Sequence, residues 1–162
     1  MNKLLAGATL ALAIALPFAA HAQMAVVAGT NQEALLKSPD PHLAANKRLV
    51  YDFWRSVLEG GHMELADKYL AEGYIQHNPT VPTARAGFVK FFSAFAKPMP
   101  IDAHIKAPLV ATVAEGELVV LSFVQEMPEP KDSKKTYTTT WFDMFRVENG
   151  RIAEHWDPTT KR

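Results

Sequence analysis

Thr136-Tyr137-Thr138-Thr139-Thr140-Trp141-Phe142-Asp143-Met144-Phe145-Arg146-Val147, then Glu148-Asn149-Gly150, then Arg151-Ile152-Ala153-Glu154-His155-Trp156-Asp157, reads as two strands about a tight turn. Thr, Val and aromatic residues favour a half-buried pleated surface, and Asn-Gly breaks it. A three-residue loop with Gly150 in the left-handed region would set Asp143 opposite His155, Trp141 opposite Asp157 and Phe145 opposite Ala153. Strand side chains alternate, so Trp141, Asp143, Phe145, His155 and Asp157 would share one face. Phe142, Met144, Ile152 and Trp156 would share the other. A two-residue turn would break this register and part Asp143 from His155.

Working outward, Glu117–Met127 is a second apolar strand, and 128–135 reads as a polar loop. A further strand is expected over Ala103–Ala114, with Pro108 at a bulge or edge. Before these strands lie helical patterns. Leu49, Val50, Phe53, Trp54, Val57 and Leu58 recur at three- and four-residue steps until Gly60-Gly61. A short helix is expected over Met63–Leu70, ended by Gly73. Tyr74–His77 reads as a strand stopped by Asn78-Pro79. Thr83 is a candidate N-cap for a helix whose stripe is Phe88, Phe91, Phe92 and Phe95. Helices first and a strand meander afterwards indicate an α+β fold.

The first residues follow another logic. Leu4–Phe18 is apolar, and Ala20-His21-Ala22 offers small residues where a signal peptidase reads. Residues 1–22 are therefore expected to be a secretory signal, 23–42 a linker or arm, and 43–162 the folded domain. The expected location is outside the cytoplasm, a bacterial periplasm fitting best because the chain has no Cys for disulfides. Equal counts of 17 Lys+Arg and 17 Asp+Glu argue against nucleic acid or an anionic membrane as partner.

Asp143, His155 and Asp157 in an apolar surround have the composition of a proton-transfer site. Burial and mutual charge push such carboxylates apart in pKa, so one can take a proton while another donates. A cross-strand ion pair between Asp143 and His155 is the alternative. A metal held by His77, His155 and a carboxylate lacks any close His spacing to support it, and neither metal nor cofactor is expected.

Tyr74-Ile75-Gln76-His77-Asn78-Pro79, Asp143–Ile152 and Glu154-His155-Trp156-Asp157, in this order, resemble the SnoaL-like polyketide cyclases of the nuclear transport factor 2-like superfamily. The resemblance covers about Leu43 to Asp157. It implies a cone of three N-terminal helices packed on a strongly curved, mostly antiparallel sheet, a homodimer, and a pocket for a small hydrophobic molecule of carbonyl type. It implies Asp157 as acid/base, with Asp143 and His155 beside it, and Tyr74, His77, Trp141 and Phe145 as substrate-binding residues. Two functions stay open: a cofactor-independent lyase or isomerase of the aldol-cyclase kind, and a non-catalytic periplasmic binding or accessory module. Ser122 stands where many relatives carry His.

Overall fold

The computed structural model describes residues 23–161, so the expected signal segment lies outside the described residues. Asp40 caps the first long helix, accepting from His42 N at 2.8 Å, and Pro41 occupies its first turn, where a missing N–H costs nothing. That helix, α2 (Pro41–Phe53), follows a single turn α1 (Gln32–Leu35). It runs on as a π-helical segment, Trp54–Glu59, ended by Gly60 and by Gly61 at φ +72°. The wider turn brings Trp54 and Leu58 to the same side as Phe53, all three facing one cavity.

Met63–Leu65 forms a 3₁₀ turn, and α3 covers only Ala66–Tyr69. The helix expected over Met63–Leu70 stops at Tyr69 because Leu70 is already extended, fully buried and paired with Ile152. Strand β1 therefore spans Leu70–Gln76, with Gly73 inside its irregular stretch. Thr83 is not an N-cap. Its hydroxyl accepts from Gln76 N and donates to Tyr74 O, closing the end of β1. Ala84, at φ +66°, stands before α4 (Arg85–Ser93) instead. Phe88 is buried, but Phe95 is 61% exposed because α4 ends before it.

Strands β2 (Leu109–Glu115), β3 (Leu118–Glu129), β4 (Asp132–Glu148) and β5 (Arg151–Trp156) complete a curved, open sheet in the order β1-β5-β4-β3-β2. Only the β1–β5 pair is parallel. The loop expected over 128–135 is mostly ladder, since β3 and β4 stay paired from Leu118–Arg146 out to Glu129–Asp132. Ala103–Pro108 is irregular rather than strand. Its Ile105 is buried, and its Lys106 and Ala107 N–H groups are taken up by the Glu59 carboxylate.

The last hairpin corrects the expected register. Asn149 (φ +51°) and Gly150 (φ +69°) form a two-residue turn, the geometry Asn-Gly favours. Glu148 pairs with Arg151 and Val147 with Ile152, but Arg146 pairs with Glu154 and Phe145 with His155. Ala153 is the extra residue, a β-bulge. The turn alone would have put His155 on the outer face, and the bulge returns it to the inner one. Ile152, expected outside, is consequently fully buried opposite Val147.

Helices and inner sheet face meet around Phe53, whose ring lies 6.1, 5.9 and 6.1 Å from those of Tyr69, Phe88 and Phe145. Phe53→Ala should destabilise the domain by about 3–5 kcal/mol, read as a drop in the urea midpoint with little change in slope. A change below about 1 kcal/mol would show that this junction is not the centre of the core.

Candidate active site

The cavity between α2, α4 and the inner sheet face has a volume of about 310 Å³. Its apolar wall is Phe53, Trp54, Leu58, Phe88, Phe92 and Trp141, with Phe145 at its floor. Trp54 stacks on Phe123 at 4.5 Å, and its buried indole N–H has no partner among the described residues. The polar wall is Asp143, His155 and Asp157 from the terminal hairpin, facing Tyr74, Gln76 and Asn78 from the end of β1. Among the described residues, no Lys or Arg lines the cavity.

Asp143 is 3% exposed and His155 7%. The two are joined through Nε2 and Oδ1 at 2.9 Å, while Trp141 Nε1 donates to Asp143 Oδ2 at 3.0 Å. Burial pushes the Asp143 carboxyl above the ordinary aspartate range, against the lowering effect of these hydrogen bonds, and the charge of Asp157 adds to the rise. Asp157 is half-buried and fixed from two sides. Asn78 Nδ2 donates to Oδ2 at 2.7 Å, and Thr159 N donates to Oδ1 at 2.8 Å. Thr80 N donates to Asn78 Oδ1, which sets the direction of that amide. The Tyr74 hydroxyl is held well above its usual pKa, by burial first and then by Asp143 and Asp157. It is therefore a neutral donor.

Six of the seven residues singled out from the sequence converge here: Asp143, His155, Asp157, Tyr74, Trp141 and Phe145. His77 does not. It follows Gln76 on the strand and so points to the outer face, where Glu154 Oε1 lies 2.7 Å from its Nε2 and the Trp156 ring stacks on it at 4.9 Å. Gln76 and Asn78, which flank His77, take the inward positions. Their alternation with His77 was the available signal. Asp143, His155 and Asp157 also offer ligand atoms within 4.8 Å of one another, a set that could hold a cation. The set proposed around His77 does not form.

Residues 50–155 match the SnoaL-like domain family. No curated protein matches the sequence significantly. Among solved structures, a candidate polyketide cyclase from Acidithiobacillus ferrooxidans is 20% identical, with a TM-score of 0.50 over 75% of this chain and 89% of its own. A nuclear transport factor 2-like protein of unknown function from Mesorhizobium loti is also 20% identical, with a TM-score of 0.50 over 74% and 94%. At this identity the likeness establishes the fold.

Because the fold favours protonated Asp143, its contribution to stability is fully present below the ordinary aspartate pKa of about 3.9 and is lost as pH rises through its folded value. Asn at this position can keep both hydrogen bonds without the buried charge. Asp143→Asn should thus gain melting temperature relative to the parent protein as pH rises above about 4, the ordinary aspartate value. A difference that does not change as pH rises from there would contradict the burial argument.

Proposed function

The chain belongs to the SnoaL-like domain family, and from that premise and the cavity's chemistry we propose that it binds a small, hydrophobic, uncharged carbonyl compound and moves a proton on it by carboxylate acid/base catalysis. The observation that carries this reading is Asp157: a carboxylate anchored by Asn78 and Thr159, opening into an aromatic cavity beside a second carboxylate and an imidazole.

Asp157 takes a proton from carbon next to the carbonyl. The charge that develops on the carbonyl oxygen needs a donor. Tyr74 supplies it. Its hydroxyl oxygen accepts from Gln76 Nε2 at 3.1 Å, which leaves the Tyr74 proton free to be given. The neutral Asp143–His155 pair beside it takes up or returns a proton as the charge moves. The aromatic wall lowers the local polarity, which strengthens these interactions. The absence of cationic side chains disfavours carboxylate-bearing ligands.

The outer sheet face supports pairing with a second copy, since Ile75 and Phe142 are 43% and 52% exposed around the Trp156–His77 stack. The export reading of residues 1–22 would place this binding in the periplasm.

Neutral aromatic ketones should quench tryptophan fluorescence saturably, and their carboxylate analogues should bind at least about tenfold more weakly, roughly 1.4 kcal/mol. In D₂O, the bound ketone should exchange its hydrogens next to the carbonyl. Asp157→Asn should slow this at least about 100-fold, the low end for a general base, with the melting temperature nearly unchanged. Tyr74→Phe should slow it as well. Binding without exchange would leave a ligand-binding module and sink the catalytic reading. Unfolding of Asp157→Asn would make that residue structural.

A further inference from the structure

Gln76 at the end of β1 and Asn78 just beyond it each hold one ionisable residue at the end of the chain's last strand. Asn78 holds Asp157, and Gln76 holds His155. The second contact can be read for proton positions, because it begins at a main-chain N–H, which only donates. Asn78 N reaches Gln76 Oε1 at 2.9 Å, so that atom is the amide's oxygen. The amide nitrogen at the other end donates to Tyr74 OH. Gln76 Oε1 therefore accepts from His155 Nδ1 at 2.8 Å, and Nδ1 carries a hydrogen.

The other ring nitrogen then faces Asp143 Oδ1 at 2.9 Å. Two bare lone pairs do not rest at that distance, so one proton lies between them. Whether drawn as imidazolium and carboxylate or as imidazole and carboxylic acid, the pair has no net charge. Asp157 is left as the one net charge among the ionisable groups facing the imidazole, which are Asp143 on β4, Asp157 after β5 and Tyr74 on β1.

We propose that Gln76 is the positioning residue of this site: it locks His155 in the tautomer protonated at Nδ1 and so confines a single mobile proton to the bond between His155 Nε2 and Asp143. With that acceptor removed, the Nδ1 proton would pass to solvent, leaving His155 protonated at Nε2 alone and donating to an ionised Asp143. The pair would then carry a net negative charge, with one proton fewer to give to a bound molecule. The geometry alone carries this inference. Only its chemical consequence rests on the acid/base reading above.

The test is a long-range ¹H–¹⁵N correlation spectrum of the ¹⁵N-labelled protein between about pH 5 and pH 8, with His155 assigned by its loss in His155→Gln. In the parent protein, Nδ1 should stay protonated throughout. Gln76→Met, of similar shape but without the acceptor, should move Nδ1 downfield to the position of an unprotonated nitrogen once the ring is neutral. Gln76→Glu keeps an acceptor for both His155 Nδ1 and Asn78 N, and should restore a protonated Nδ1. An unprotonated Nδ1 in the parent protein overturns the proposal, and so does a Gln76→Met spectrum identical to the parent's. If Gln76→Met does not fold, the parent spectrum alone decides. No substrate is involved, so this outcome is independent of any failure to find turnover.

Discussion

A strand that brings ionisable side chains to an apolar interior depends on counting, because one residue more or less sends every later side chain to the opposite face. In β5 that count is set by Ala153. The Asn149-Gly150 turn starts the strand with Ile152 inward against Val147, and the bulge at Ala153 resets the alternation so that His155 and Asp157 also point inward. Both requirements are met at once: Ile152 fills the core, and two residues later in the pattern the same face becomes the polar wall of a cavity. Bulges recur where a side chain must be re-aimed, and this one re-aims two.

Once His155 and Asp157 face inward, the rest of the wall follows from satisfying them. A buried polar group without partners costs about 1–3 kcal/mol, more if charged. Asp143 meets His155 across the hairpin, Gln76 meets the far side of the same ring, and Asn78 meets Asp157. The parallel pairing of β1 with β5, Gln76 beside His155, makes these contacts possible. The result is a polar strip satisfied on its protein side, facing aromatic rings across a space for a small molecule.

Much of this was legible in the chain. Aromatic and Thr-rich alternation marks β4, and the helical stripe of Val50, Phe53, Trp54 and Val57 marks the element that covers it. The inward set Trp141, Asp143, Phe145, His155 and Asp157 was read correctly, although the turn that led to it was not. A three-residue loop and a two-residue turn plus one bulged residue preserve the same parity, and local sequence does not announce a bulge at an alanine. The family resemblance points to His77, as the polar residue after the first strand. The alternation in Gln76-His77-Asn78 put its plainer neighbours at the site instead. Leu70 continues the apolar positions Leu65, Ala66 and Tyr69, which reads as the end of a short helix. Its burial against Ile152 overrode that pattern. The π-helical turn at Trp54–Glu59 left no mark in the periodicity.

The site depends on which way the end of β5 faces, and a NOESY spectrum reads this directly. The His155 ring should show cross-peaks to the ring of Phe145, 4.7 Å away between centroids, and to inward groups of the cavity. Cross-peaks from His155 to Phe142 and Trp156 on the outer face, with none to Phe145, would place the imidazole outside and dismantle the site.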